Sequence, residues 1–169
     1  MRTPKLETTP ERSRIMSKIR GTGNKTEVML QKALWHRGIR YRKNYKKIPG
    51  SPDIAITKYR IAVFIDGEFW HGYDWQNKRN TINSNRDFWI AKIERNMERD
   101  LEVNQKLREM DWFVLRLWEK DVKKDMENCI NKIHDAIFYQ KELIKLLREN
   151  LNETWELEDF DYFDFDIYS

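Results

Sequence analysis

The segment YRIAVFIDGEFWH, residues 59–71, joins a core strand to a group of reactive and aromatic side chains. Its first half is a continuous apolar run, which is typical of a strand buried on both faces of a sheet. Asp66 ends that run, and Phe69, Trp70 and His71 follow almost at once. Carboxylates, an imidazole and large aromatic rings gathered in a loop at a strand end indicate a functional site.

The preceding segment, IPGSPDIAI at residues 48–56, predicts a turn that leads into a short strand over 53–56. If this strand and the strand over 59–66 form an antiparallel pair joined near Thr57 and Lys58, Asp53 and Asp66 meet at one sheet edge. Two carboxylates there suit Mg²⁺, and a metal so held can activate water and neutralise charge on a phosphodiester. The alternative is structural: Asp53 shapes the turn and Asp66 ends the strand.

Two further residues favour a catalytic site at this edge. His71 lies five residues beyond Asp66, so the chain can return it to the same edge, where a neutral imidazole would serve as general base. Glu27 stands in the first turn of a helix that begins after Asn24 and would supply another acid. Its alternative role is in helix capping and in interaction with the helix dipole.

The remaining pattern predicts an α/β fold with a mixed central sheet flanked by helices. The element order is α-α-β-β-β-α-β-α-α. We expect helices over 10–20, 24–37, 85–110, 122–138 and 139–150, and strands over 39–45, 53–56, 59–66 and 112–118. Residues 72–85 are expected to form a long loop. Three regions follow: a basic helical arm over 1–23, a folded domain over 24–150 and an acidic aromatic tail over 151–169.

Charge is unevenly distributed along the 169 residues. The net charge is +11 over residues 1–50, zero over 51–150 and −7 over 151–169. A basic N-terminal third suits a polyanionic partner, although a solvated lysine-rich surface gives the same composition. A single cysteine excludes an internal disulfide and a multi-cysteine zinc site. No segment has the apolar length of a membrane span or the pattern of a signal peptide, so we expect a cytoplasmic protein with no membrane partner.

Three aromatic residues and the arm are candidates for contacts with DNA. Phe69 and Trp70 lie in a loop, and Trp89 lies one turn into the long helix, off its apolar stripe. Apolar wedges of this kind enter DNA between base steps. The alternative is a satellite cluster beneath the 72–85 loop. The helix over 10–20 has too thin an apolar stripe to pack as a core helix, which indicates an arm.

Five motifs together resemble the very-short-patch repair endonucleases, bacterial mismatch nickases with a restriction-endonuclease-type core. In chain order, across about residues 10–138, they are RSRIMSKIRGTGNKTEVMLQKAL, IPGSPDIAI, YRIAVFIDGEFWH, FWIAKIERNMERD and WFVLRLWE. The resemblance implies a Mg²⁺-dependent endonuclease that cuts one strand of duplex DNA on the 5′ side of the thymine of a T·G mismatch. It implies a nucleoid-associated enzyme of bacterial cytoplasm, and we expect a monomer.

The resemblance also implies roles for particular residues. Asp53 matches the family's metal-binding aspartate, and Ile65 matches a residue whose backbone carbonyl also binds Mg²⁺. His71 matches the catalytic histidine, and Glu27 and Asp100 match acids associated with the site. The implied DNA contacts come from the arm, the loop and the long helix: Met16, Ile19, Phe69, Trp70, Trp89, Lys92 and Asn96.

The sequence departs from the family at two places. Where the family holds a structural zinc, this chain has Glu68, Tyr73, Trp75 and Lys120, so we expect no zinc and hypothesise that a Lys–Glu pair replaces it. Asp66 replaces a histidine that the family uses near the phosphate. We expect Asp66 to join Asp53 and the Ile65 carbonyl at the metal.

Two other functions stay open at this point. One is a restriction- or modification-linked endonuclease with a different target, and the other is a DNA-binding module without activity. The tail lies outside the resemblance. Its six aromatic residues and seven acids suit mimicry of nucleic acid over the arm, binding of a partner protein, or a simple docked C-terminus.

Overall fold

The computed structural model describes residues 24–150 continuously, together with Glu11 and Arg14. The predicted arm residues Met16 and Ile19 and the tail over 151–169 lie outside the described residues. The continuous stretch spans the residues of the folded domain predicted over 24–150.

A four-stranded mixed sheet forms the centre of this domain, with its strands side by side in chain order. The strands are β1 (Arg42–Lys43), β2 (Ile54–Ile56), β3 (Ile61–Asp66) and β4 (Phe113–Trp118). The β1–β2 and β2–β3 pairs are antiparallel, and the β3–β4 pair is parallel. A 3₁₀ turn at Thr57–Tyr59 joins β2 to β3, which confirms the predicted antiparallel pairing. The strand predicted over 39–45 is reduced to two residues.

Five α-helices flank the sheet within the described residues. They are α1 (Lys25–His36), α2 (Trp75–Lys78), α3 (Arg86–Glu109), α4 (Glu119–Lys124) and α5 (Met126–Asn150). The predicted boundaries of α1 are confirmed: the Asn24 side chain accepts the Glu27 N–H at 2.9 Å, and Gly38 follows the helix with φ +79°. The long helix predicted over 85–110 is present as α3, and it lies in the connection between the parallel strands β3 and β4.

Two predictions about helices were wrong. The expected loop over 72–85 contains α2 and a 3₁₀ turn at Arg79–Thr81. The two helices expected over 122–138 and 139–150 are instead a short α4 and one continuous α5. Asp125 separates them and accepts the Asn128 N–H at 3.0 Å as an N-cap. No glycine or proline near residue 138 interrupts α5, so nothing in the local chemistry stops it there.

The sheet has an apolar core on each face. All six residues of β3 are buried, as expected for a strand covered on both sides. One core joins β2 and β3 to α1, α4 and α5, with members that include Leu30, Ile54, Val63 and Ile133. The other lies on the α3 side and contains Ile48, Ala62, Phe64 and Leu107. The predicted α/β layered class is confirmed.

Among the described residues, no helix is both long and apolar enough to cross a lipid bilayer.

Candidate functional site

Asp53 lies at the start of β2, beside the carboxyl end of β3. Its Oδ2 accepts the backbone N–H of Ile65 at 2.8 Å, so the carboxylate is held against the neighbouring strand. Burial, with a smaller contribution from the negative charges of Glu27 and Asp66, raises the pKa of Asp53 to about 6 in spite of the hydrogen bond from Ile65. Within residues 24–150, Asp53 forms no ion pair. A half-buried carboxylate in this condition would be stabilised by a cation.

The carbonyl oxygen of Ile65 points to the same side as Asp53. In a β-strand, the N–H and C=O of one residue face the same neighbour, and the Ile65 N–H is bound to Asp53. The β2–β3 ladder pairs Ile54 with Val63 and extends no further toward residue 65. The Ile65 carbonyl and the Asp53 carboxylate therefore place oxygen atoms on the same side of this sheet edge.

Asp66 has a different neighbour from the one expected. Both of its carboxylate oxygens accept hydrogen bonds from the Arg116 guanidinium, at 2.6 Å from Nε and 3.2 Å from Nη2. Arg116 stands on β4, which runs parallel to β3 at this point. This bidentate pair neutralises Asp66, which argues against its expected place as a metal ligand. We assign it instead to the ion pair that joins β3 and β4.

Arg116 also reaches across to α3. Its Nη2 lies 2.9 Å from Asp100 Oδ1, and its Nη1 donates to Asn104 Oδ1 at 3.2 Å. Burial opposes ionisation of Asp100, but hydrogen bonds from His71 and Arg116 outweigh burial and hold the pKa of Asp100 below its usual value. Burial likewise opposes the charge on Arg116, and its carboxylate partners raise its pKa above the usual value. Both groups of the pair are charged.

His71 is held by the same acid. Its Nδ1 lies 2.6 Å from Asp100 Oδ2 and 3.7 Å from Asp66 Oδ1. With the Nδ1 proton donated to Asp100, the neutral ring carries its lone pair on Nε2. An imidazole oriented by a carboxylate in this way is arranged as a general base. The predicted convergence of His71 and Asp100 is present in the structure.

Helix α3 supports the loop that follows β3 at successive turns. Asn96 donates its side-chain amide to the Trp70 carbonyl at 3.0 Å, and Asp100 receives His71. Between them, Met97 approaches Gly72 so closely that a Cβ on the glycine would lie 2.3 Å from the Met97 sulfur. The spacing of 96, 97 and 100 places these residues on one face of the helix. The loop is thus packed along a rigid element.

The three predicted aromatic residues form one surface cluster. Ring centroids of Phe69, Trp70 and Trp89 lie 5.2 to 5.6 Å from one another in edge-to-face contacts. Phe69 remains 47% exposed. The ammonium of Lys92 lies 5.2 Å from the Trp70 ring centroid and 5.6 Å from that of Trp89, close enough for cation–π attraction. An exposed aromatic edge beside a lysine suits contact with stacked bases and phosphates.

Glu27 is buried in the first turn of α1, and its charge contributes to the raised pKa of Asp53. Among the described residues, no group of three His, Cys, Asp or Glu side chains has the arrangement of a metal-binding cluster.

The four residues that stand in place of the family's zinc ligands make contacts with one another and with α3. Glu68 Oε1 accepts the backbone N–H of Lys120 at 2.6 Å, and the Lys120 ammonium lies 3.3 Å from the centroid of the Tyr73 ring. Trp75 donates its indole N–H toward Glu94 at 3.4 Å. The hypothesised Lys–Glu pair is therefore a contact through the Lys120 backbone, while its side chain packs on Tyr73. We call Glu68, Tyr73 and Lys120 the loop clamp.

Reasoning from the sequence missed Arg116 and Asn104. The available signal was an arginine inside the apolar strand segment FVLRLW, since a charged residue in such a strand requires a buried partner. No spacing rule linked Arg116 to Asp66, fifty positions earlier in the chain. Their contact depends on the parallel register of β3 and β4.

Comparison with known proteins agrees with this geometry. A family profile described as DNA mismatch endonuclease Vsr matches residues 6–77. A type II nicking enzyme of Neisseria meningitidis serogroup C, V.NmeDIP, is 49% identical over 130 residues, which cover 76% of this chain and 88% of that protein. The chain belongs to the Vsr family. Its sheet and helices accordingly form the restriction-endonuclease-like fold predicted for it.

Two other Vsr-family relatives show the range of similarity. The type II nicking enzyme V.HpaIIP of Haemophilus parainfluenzae is 48% identical over 132 residues, covering 77% of this chain and 94% of that protein. The DNA mismatch endonuclease Vsr of Escherichia coli strain K12 is 32% identical over 108 residues, covering 64% of this chain and 69% of that protein.

Replacing Asp53 by asparagine is expected to raise the free energy of unfolding by about 2 kcal/mol near pH 8 in metal-free buffer. The pKa of Asp53 is raised from 3.8 to about 6 in the fold, so its favourable contribution is complete below about pH 4 and is lost as the pH rises through about 6. The gain from asparagine should therefore vanish in acid. Denaturant unfolding over a pH series measures it.

Asp135→Asn is the matched control for this prediction, because Asp135 is exposed on α5. It should change stability little at any pH. A gain from Asp53→Asn that stays constant from acid to alkaline pH would contradict the assignment of the raised pKa to Asp53.

The loop clamp predicts stability without zinc. Elemental analysis of the purified protein should find no stoichiometric zinc, and a chelator should leave the melting temperature unchanged. Glu68→Ala should lower the free energy of unfolding by about 1 kcal/mol, because it removes the acceptor for an N–H in the first turn of α4. Glu68→Gln keeps a side-chain carbonyl and should lose less. Stoichiometric zinc would refute this account of the loop.

Proposed function

We propose that this protein is a Mg²⁺-dependent endonuclease that nicks one strand of duplex DNA on the 5′ side of the thymine of a T·G mismatch. The observation that carries the proposal is that two groups suited to hydrolysis lie together at the end of β3. Asp53 and the Ile65 carbonyl form an oxygen site, and His71 is oriented by Asp100. Similarity to proteins named as nicking enzymes and as a DNA mismatch endonuclease supports the nicking reaction and the mismatch target.

The oxygen site fits a magnesium ion. Asp53 and the Ile65 carbonyl would hold it, and the raised pKa of Asp53 reflects a desolvated carboxylate near other acids, whose charge a cation would stabilise. When bound, the ion would lower the pKa of a water and neutralise negative charge on the phosphodiester. The buried Glu27 adds negative charge to the same region, which favours a divalent cation.

His71 would supply the proton transfer. Its Nδ1 is occupied by Asp100, so Nε2 is the atom available to accept a proton from the attacking water. Asp100 also stabilises the imidazolium that results. Because Arg116 keeps Asp100 ionised and in place, Arg116 acts as a positioning residue for the base.

The aromatic cluster supports recognition of a weakened base pair. A mismatch costs less to unstack than a matched pair, so wedges inserted beside it discriminate by deformation energy. Phe69 is the most exposed of the three rings, and Trp70 and Trp89 support it. Lys92 and Asn96 follow on the same helix, where they would contact base edges or the backbone.

The first test is strand-specific nicking of end-labelled duplexes that differ only at one base pair. With Mg²⁺, cutting is expected on the thymine strand of a T·G duplex and not on the matched duplex, and EDTA should abolish it. Cutting of the matched duplex at the same rate would favour the alternative of a nuclease with another target. No cutting of any duplex would favour a DNA-binding module.

The same assay tests the proposed metal ligand and the proposed general base. Asp53→Ala and His71→Ala should each lower the nicking rate by at least about 100-fold, because each removes a direct participant in the hydrolysis. Both variants should still bind the T·G duplex in a filter or fluorescence assay. Normal cutting by either variant in Mg²⁺ would refute the role given to that residue.

Arg116→Met should lower the nicking rate more than it weakens binding of the T·G duplex. Losing the guanidinium leaves Asp66 and Asp100 unpaired, and breaking a buried pair on one side costs about 3 kcal/mol of stability. Arg116→Lys keeps the charge without the bidentate geometry and should recover part of both losses. Unfolding curves and single-turnover rates measure the two effects separately.

Arg60→Met is the matched control, because Arg60 pairs with the exposed Asp111 at 3.5 Å. An exposed pair contributes about 0.5 kcal/mol or less, so this variant should nick and unfold almost as the parent does. Equal losses at Arg60 and Arg116 would show that the effect is a general consequence of removing an arginine.

A further inference from the structure

A groove on the outer side of α1 lies apart from the residues used above. It encloses about 300 Å³ between α1 and the β1 region. Its polar and aromatic lining consists of Gln31, Lys32, Trp35, His36, Tyr41 and Lys43. We call it the α1 groove.

The aromatic wall of the groove is built and exposed. Trp35 is 52% exposed, although it is a large apolar side chain. The ring centroids of Tyr41 and Trp35 lie 6.3 Å apart in an edge-to-face contact, and the Arg40 guanidinium lies 4.0 Å from the Trp35 ring centroid. The Tyr41 hydroxyl donates to the Gln31 carbonyl at 2.7 Å, which fixes the wall to α1. A supported but uncovered tryptophan is typical of a contact surface.

The charge around the groove has one sign. Residues 28–52 contain seven lysines and arginines and no aspartate or glutamate. Within residues 24–150, Lys32 and Lys43 form no ion pair, whereas Arg37 is paired with Glu127 at 2.6 Å. A surface of this kind attracts a polyanion, because each phosphate it neutralises releases counterions.

The groove is one side chain away from the proposed metal site. Gln31 lines the groove, and its side-chain amide donates to the backbone carbonyl of Asp53 at 3.4 Å. A DNA strand whose scissile phosphate lies at Asp53 would therefore continue toward α1. This continuity selects the DNA backbone as the occupant over an unrelated anion.

We propose that the α1 groove binds the DNA backbone flanking the nick, outside the mismatch. Lys32 and Lys43 would contact phosphates, and Trp35 would pack against a deoxyribose between them. The proposal rests on the proposed function in one respect: the bound strand is the one presented to Asp53. It predicts that affinity depends on DNA length on one side of the mismatch.

The experiment compares Lys32→Gln/Lys43→Gln with the parent on T·G duplexes shortened stepwise from either end. On a long duplex, the double variant should bind about tenfold more weakly, and its slope of log Kd against log salt should fall by about two. Once shortening on one side removes the flank, parent and variant should bind equally. Trp35→Ala should show the same length dependence with an unchanged salt slope.

The control is Lys132→Gln/Lys141→Gln, which removes the same charge from exposed positions on α5. It should bind every duplex almost as the parent does. Melting temperatures of the two double lysine variants should match the parent, since all four lysine side chains are exposed.

Three results would overturn the proposal. Equal affinity and salt slope of parent and groove variant on the long duplex would remove the groove from the DNA interface. A loss of the same size on all lengths would show a general charge effect. Tighter binding by the groove variant would show that the groove holds an acidic segment of the chain. If no duplex is nicked, the proposed function fails, while the length dependence of binding still tests the groove.

Discussion

The ion pair of Arg116 with Asp66 and Asp100 is the interaction on which the site depends. It joins the β3–β4 pair of the sheet to α3, which otherwise packs on these strands through apolar side chains. A charge in this position is costly to bury alone, so each member requires the other two. The position of His71 follows, because its hydrogen-bond partner is one of the three.

The same strand end holds two carboxylates in opposite electrostatic conditions. Asp66 accepts a bidentate guanidinium, whereas Asp53, across the strand, has a backbone N–H and neighbouring acids. Burial raises the pKa of Asp53 to about 6, and no positive group within residues 24–150 lowers it again. Asp66 thus belongs to the ion pair that joins the strands to α3, whereas Asp53 forms no ion pair among the described residues and is the acid proposed to hold the metal. Asp53 and Asp66 lie near each other and have the same side chain, but only Asp66 is paired with Arg116.

Much of this arrangement was predictable from local patterns. The Asn24 cap, the apolar run of β3 and the periodicity of α3 each determine their element, and the short Thr57–Lys58 connection forces the pairing that brings Asp53 to Ile65. The role of Asp66 was not predictable, because it depends on which residue of β4 lies beside it. The length of α5 was also misjudged, since periodicity alone does not separate two adjacent helices from one. The sequence alone shows that Glu68, Tyr73, Trp75 and Lys120 stand where the family has zinc ligands. The loop clamp could not be predicted, because it depends on the packing of the Lys120 side chain against Tyr73.

Helix α3 carries both the residues proposed to contact the DNA base pair and Asp100, which orients the proposed general base, His71. Lys92 and Asp100 are eight residues apart, so about 12 Å of helix separates them. Two turns of helix transmit a displacement almost without loss, and Asn96 between them is bonded to the loop that carries the aromatic rings. A duplex that seats the rings poorly would therefore shift Asp100 and misalign His71. In the proposed reaction, selectivity for the mismatch would then depend on alignment. Helix α3 would link the fit of the DNA against the aromatic cluster to the position of His71.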